Sequence, residues 1–236
     1  MTITAVAQMG ANNATLSGTS LVITCAAAGA LVGDLVLLVI GKDNTQTTDG
    51  ITNEVTAVVD SASNTWTKIG EYCNGQGTAA AGQVVSLWMS ILTVAIPITT
   101  GTITITMDTT AIKQAVAYNY RLSENFTWFL ESVRRYKADD AADPAAMFIS
   151  GLSAEQHLYI RAHARESGGS SQTPTASWTE AIDSVAGGNS PIYMEHLISS
   201  AATATSDPAG SNADHASIMV AFTPKYSPGL FAGMPL

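Results

Sequence analysis

LVLLVI, residues 35–40, is the stretch that decides the fold. It is a short continuous apolar run between Gly33-Asp34 and Gly41-Lys42, the pattern of a strand buried on both faces. Further along, TITITM (102–107) alternates Thr with Ile and Met, giving one hydroxyl face and one apolar face. VVSLWMSILTVAI (84–96) and KQAVAYNY (113–120) are rich in β-branched and aromatic residues. LYIRAHARES (158–167), IYMEHLISS (192–200) and HASIMVAFT (215–223) continue the theme. Turn-forming clusters separate these runs, among them GKDNTQTTDG (41–50), DSASN (60–64), NGQGTAAAG (74–82) and SDPAGSNAD (206–214). The pattern predicts an all-β chain folded as an antiparallel β-sandwich, with at most one or two short connector helices. The helix candidate is DDAADPAAMFISGL (139–152), with Asp143 as N-cap and Pro144 at the first helical position. ENFTWFLESVRRYK (124–137) reads either as helix or as a strand pair.

The 236 residues suit one large domain or two small ones. The expected organisation is an N-terminal arm (1–14), a single sandwich domain (15–223) and an extended apolar arm (224–236). That last arm carries three prolines and the apolar side chains Leu230, Phe231, Met234 and Leu236, which need a surface to lie on. An echo links the two halves: each has a loop ending in Trp-Thr (Trp66-Thr67 and Trp178-Thr179) and closes on AVAYNY (115–120) or IMVAFT (218–223). The spacing drifts between the halves, so the sequence favours a single domain over a duplication.

Charged residues make up 12% of the chain against 46% hydrophobic, which predicts a folded protein with a weakly charged surface suited to docking against neighbours. Nineteen acids against ten bases give a net charge of −9, which opposes nucleic acid and anionic membranes as partners. The apolar run 21–41 contains Asp34 and three glycines and reads as two buried strands rather than a membrane span. The N-terminus lacks the basic start and long apolar run of a secretory signal, an expectation of cytoplasmic synthesis. Two cysteines, Cys25 and Cys73, do not make a disulfide framework.

The sharpest local pattern is the strand 157–165. His157, Tyr159, Arg161, His163 and Arg165 alternate with Leu158, Ile160, Ala162 and Ala164. A basic, aromatic strand face on an acidic chain predicts a contact surface for a partner, carried by Tyr159, Arg161, His163 and Arg165. His157 and His163 would lie about 20 Å apart along a strand and cannot share one metal. No nucleophile turn, phosphate-binding glycine loop or pair of carboxylates at alternate strand positions occurs. Asp43, Asn44 and Asp49 lack the spacing of a calcium-binding hand. The reading therefore includes no enzyme activity, no cofactor and no metal. Trp66 and Trp178, each following a polar loop, are the candidates for stacking on a sugar ring.

GDLVLLVI (33–40), VTAVVDSASNTWTKIG (55–70), VVSLWMSI (84–91), TITITM, AVAYNYR (115–121) and ASIMVAFTP (216–224) together resemble a β-sandwich module of tailed-phage structural proteins and bacterial surface proteins. In that module Gly-Asp opens a buried strand. A Val-rich strand then runs into an Asp-Ser-x-x-Asn-x-(Trp/Tyr)-Thr turn, matched here by Asp60, Ser61, Asn64, Trp66 and Thr67. The module's Glu-Tyr-x-Gly is replaced by Tyr118-Asn119-Tyr120-Arg121. The resemblance spans most of residues 15–224. It implies a jelly-roll-like fold and a structural role in a virion assembled in the host cytoplasm, as a capsid decoration or cement protein. The expected partners are capsid or tail subunits and further copies of the chain, in a homo-oligomer. The alternative is a carbohydrate- or receptor-binding module of a tail or neck fibre.

Overall fold

The continuous apolar run at 35–40 forms the middle of a sheet that is covered on both sides. The computed structural model describes residues 2–123, 126–139, 144–166, 171–184, 190–210 and 214–227; among them are sixteen strands and no helix. A six-stranded sheet has the order β1 (Ile3–Ala14), β9 (Lys113–Leu122), β3 (Leu35–Asp43), β7 (Gln83–Ile91), β6 (Thr67–Asn74) and β4 (Gly50–Ile51). A five-stranded sheet has the order β10 (Phe126–Asp139), β16 (His215–Tyr226), β12 (His157–Arg165), β14 (Ile192–Ser199) and β13 (Thr179–Ser184). Two smaller sheets act as covers: β2 (Gly18–Thr24), β8 (Thr102–Thr110) and β5 (Val55–Asp60) in one, β11 (Met147–Ile149) and β15 (Ala204–Ser206) in the other. Every strand pair is antiparallel.

Side-chain alternation sorts these sheets into four layers. Leu35, Leu37 and Val39 of β3 join Leu158, Ile160 and Ala162 of β12 in a core between the two large sheets. Val36, Leu38 and Ile40 point the other way, into a second core against Leu21, Ile23, Ile103 and Ile105 of the three-stranded cover. A third, smaller core places Tyr159 and Met219 of the five-stranded sheet under Met147, Ile149 and Ala204 of the two-stranded cover. Each fully buried aliphatic side chain of this kind contributes roughly 1.5–3 kcal/mol. The two large sheets approach closely where Gly41 of β3 meets the other sheet, since a Cβ there would come within 2.5 Å of Ile192 and 3.1 Å of Ala164.

The two halves of the chain have the same topology. The order β1-β9-β3-β7-β6 of the first half repeats as β10-β16-β12-β14-β13 in the second, and the cover pair β2-β8 repeats as β11-β15. The registers agree residue by residue. Gln8, Tyr118, Leu37, Met89 and Thr67 form one row across the first sheet. Arg134, Val220, Ile160, His196 and Thr179 form the matching row across the second. Even the bulge recurs, between Lys68 and Gly70 in β6 and between Glu180 and Ile182 in β13. The chain is thus two β-sandwiches of one topology packed through their large sheets; β4 and β5 belong to the first alone.

The all-β antiparallel sandwich anticipated from sequence is the fold found. The boundaries need correction. Residues 3–14 are a full strand paired along β9 rather than an arm. The region 15–223 holds parts of two sandwiches rather than one. The helix anticipated across 139–152 is not formed: residues 144–146 are irregular and 147–149 are strand, while 140–143 lie outside the described residues. The stretch from Phe126 is one long strand. Pro224 stands inside β16, opposite Trp128; the last pair of β16 with β12 is Phe222 with Leu158, so the missing N–H costs no ladder bond on that side.

Candidate functional site

The basic, aromatic face of β12 is turned inward, not toward a partner. Tyr159, Arg161, His163 and Arg165 are each at most 1% exposed, which corrects their reading as an outer contact surface. They lie on the side of the five-stranded sheet covered by β11–β15 and by the bridge between Thr173 and Ala209. Arg161 donates from Nη1 to the carbonyl oxygen of Ser206 at 3.0 Å and from Nη2 to the Ser217 hydroxyl at 3.4 Å. Its register partner Glu195 accepts from the Thr175 amide and hydroxyl, both at 2.8 Å, from the Ser206 hydroxyl at 2.5 Å and from Tyr193 at 3.2 Å. Ser206 therefore links a buried guanidinium to a buried carboxylate. His163 stacks on Tyr193 with ring centroids 5.0 Å apart and meets the edge of His215 at 5.5 Å. Burial, reinforced by the Arg161 charge, holds the His163 imidazole well below the ordinary histidine range. This is a polar layer that ties a cover to a sheet. Its acid–base groups are buried.

The motifs behind the family resemblance are braces. Asp60 accepts through Oδ1 from the Ala62 amide at 2.7 Å and through Oδ2 from the Trp66 indole at 2.7 Å. Asn64 Oδ1 accepts from the amides of Thr93 and Val94 at 2.9 and 2.8 Å, while its Nδ2 donates to the Val94 carbonyl at 2.9 Å. The turn thereby clamps the β7–β8 connection. Asp34, 1% exposed, accepts from the Leu31 amide at 2.9 Å, from Asn119 at 3.2 Å, and from Nε and Nη2 of Arg121, both at 2.7 Å. Arg121, where the family pattern departs, is the partner of the aspartate that opens β3. In the second half the equivalent positions are His157 and Thr223, whose Nδ1 and Oγ1 lie 2.8 Å apart.

The remaining candidates also have structural roles. Trp178 is 7% exposed, donates to the Thr205 carbonyl at 2.9 Å and belongs to the third core, so it offers no face to a sugar. Trp66 is half-buried against the second core with its N–H held by Asp60. Leu230, Phe231, Met234 and Leu236 lie outside the described residues. Asn44 is a loop hub that donates to the carbonyls of Gly75 and Thr78, each at 3.0 Å, and accepts from the Gly82 amide at 2.8 Å. Asp49 accepts from the Gly75 amide. Lys42, fully buried, pairs with Glu54, which also accepts from the amides of Thr45 and Gln46. No group of three or more His, Cys, Asp or Glu side chains able to hold a metal occurs among the described residues. Burial pushes the Cys25 and Cys73 thiols up to about 11 and about 12.

What the chain does present is an outer sheet face with one exposed charge on its strands, Asp108 at one end. On β2, β8 and β5 the rows Ser20–Thr106–Ala57 and Val22–Thr104–Val59 turn outward, continued by Thr24, Thr102 and Ser61. Val22 and Val59 are 43% and 58% exposed. The hydroxyl side of TITITM signalled this face in the sequence; its valines became visible only with strand order. No protein-family model matches the chain, and comparison with curated proteins finds no match.

Proposed function

We propose that this chain is a non-enzymatic structural protein of a tailed-phage virion, acting as a capsid decoration or cement protein that binds neighbouring subunits. The observation that carries this reading is the nearly uncharged face of the three-stranded sheet, whose one exposed charge, Asp108, stands at its end. Nine outward or half-outward residues in register (Ser20, Val22, Thr24, Ala57, Val59, Ser61, Thr102, Thr104 and Thr106) carry no charge. Surfaces free of charge are what the cores of protein interfaces favour. The inward burial of the histidine and arginine cluster supports the same reading, because the polar groups are engaged in tying layers together. The test is the protein composition of purified particles. Many copies per virion are expected, and a Val22→Asp/Val59→Asp chain, folded but charged on this face, should fail to join them. Particles that contain no copy of the chain, or that take up the charged variant as well as the native one, would overturn the reading.

A further inference from the structure

The end of the first sandwich exposes aliphatic side chains that its fold does not require. Two connections meet there: residues 25–34 between β2 and β3, and 92–101 between β7 and β8. Neither carries a charge apart from the buried Asp34. Leu31, Val32, Val94 and Ile98 are 55%, 63%, 50% and 50% exposed. The loops are held rigid. Ala30 and Ile96 exchange both backbone hydrogen bonds at 2.9 Å, Gly33 donates to Leu92 at 2.8 Å and Thr99 to Cys25 at 2.9 Å. The side chains of Asn64 and Asp34 clamp Val94 and Leu31 from below.

The second sandwich shows that the topology closes without such a tip. Its equivalent connections are shorter, 150–156 and 200–203. The first of them carries a charge, Glu155, which pairs with Lys225 at 3.2 Å, and no large apolar residue in either is exposed. An exposed apolar end that the sister unit lacks, braced by the two most distinctive polar motifs of the chain, is a built surface.

We propose that this tip is a homotypic contact, with the tip of a second copy as its occupant. Charge selects that partner. The chain carries −9, so two copies repel wherever their acidic surfaces meet, whereas the two connections of the tip bring no exposed charge and Arg121 at its edge is held by Asp34. Area agrees. The four side chains expose roughly 350 Å², within the range of functional patches on monomers. With the flanking alanines, Pro97 and the threonines, a pair would bury on the order of 1,000 Å², the low end of specific interfaces. The contact is therefore weak, in the micromolar range, and strengthened by multiplicity where many copies are held together. This contact stands apart from the virion reading, since pairs can form in solution whether or not particles contain the chain.

The test is sedimentation equilibrium of the full chain from about 1 to about 300 μM, a span that brackets micromolar association. The mass should rise toward that of two or more copies. Leu31→Asp/Val94→Asp should hold it at the monomer over a range at least ten-fold higher, while Ile51→Asp, at an exposed position of β4, leaves association unchanged. Circular dichroism and melting confirm that each variant folds. Should the double variant not fold, Val32→Cys replaces it and should give disulfide-linked pairs under mild oxidation, the two native cysteines being buried. A monomer at every concentration would overturn the proposal, as would equal association of the tip variant. So would stronger association of a chain ending at Ser227, meaning that residues 228–236 cover the tip within one copy, or binding to neutral phosphatidylcholine vesicles by a chain that stays monomeric.

Discussion

Replacing Asp34 by Asn removes one charge and changes almost no volume, yet it should cost about 2–3 kcal/mol. The carboxylate is 1% exposed and accepts four hydrogen bonds, two of them from the Arg121 guanidinium. An amide can still accept from Leu31 or Asn119, but its NH₂ then faces the guanidinium donors. Breaking a fully buried pair costs about 3–5 kcal/mol. The Arg121 side chain is 40% exposed and partly compensated by water, which brings the value down. For a chain of this size the loss corresponds to about 5–10 °C in melting temperature. Urea unfolding followed by tryptophan fluorescence measures it. The double-mutant cycle with Arg121→Ala isolates the pair, and a coupling of about 1–2 kcal/mol is expected. Amide exchange at residues 31–33 should speed up in Asp34→Asn, because the side chain fixes the Leu31 N–H. A loss below about 0.5 kcal/mol, or the same loss with Arg121 already removed, would refute the account of Asp34 as the brace of β3 and its preceding loop.

Ile160→Ala, in the core between the two sandwiches, should cost about 2–5 kcal/mol and lower both halves together. Trp66 and Trp178 report on different halves, and separate transitions would show that this core is not shared. The Asp43 carboxyl is pushed up to about 6 and that of Glu166 to about 7, both chiefly by burial. Folded carboxyls that titrate above their unfolded values contribute most below about pH 4, and that contribution is lost as pH rises through 6 to 7. Asp43→Asn should therefore stabilise the chain more at pH 8 than at pH 5, by about 1 kcal/mol. His196, lowered to about 4 by burial, has the opposite slope, so the comparison is variant against native at each pH. Cys25 and Cys73 should resist a thiol reagent at pH 8 in the folded chain and react at once in urea, at rates differing by about 100-fold or more.

Much of the fold was legible because alternation and apolar runs depend on local sequence. LVLLVI is buried on both faces, and TITITM has its predicted apolar and hydroxyl sides. Non-local information was not legible. Asp143 and Pro144 offer good helix-start chemistry, but the segment from Met147 is recruited to pair with β15, and tertiary pairing overrides propensity. The repeat was hinted at by the two Trp-Thr pairs, yet the first half inserts β4 and β5 and lengthens two loops, so the spacing drifts while the registers do not. The apolar tip was hidden for a related reason. Leu31, Val32 and Val94 sit inside runs that read as strand and Ile98 just beyond one, and only loop pairing reveals them as exposed.

The misreading of β12 has a physical cause that the repeat makes testable. Tyr159, Arg161 and His163 occupy the positions of Val36, Leu38 and Ile40 in the first half. In the first half the cover is a three-stranded sheet whose own side chains, such as Ile103 and Ile105, fill the gap, and the layer is apolar. In the second half the cover has only two short strands, and their carbonyls, with those of the chain beside them, face the layer: Ser206 and Thr205 of β15 accept from Arg161 and Trp178, and Ala201, before β15, accepts from Tyr159. A cover this narrow leaves carbonyls without a strand partner and needs donors beneath it, because an unpaired buried carbonyl is costly. Period-2 alternation reports which residues share a face and is silent about what covers that face. Arg161→Leu, which installs the residue of the first half, should therefore destabilise by about 3 kcal/mol despite being apolar in a buried site, since Glu195 and the Ser206 carbonyl lose their cationic neighbour. Arg161→Leu/Glu195→Gln should recover part of that loss, because the stranded negative charge is gone. Urea unfolding of the native chain, both single variants and the double variant gives the coupling. A stabilising Arg161→Leu would mean that the polar layer is dispensable and that the two covers are interchangeable.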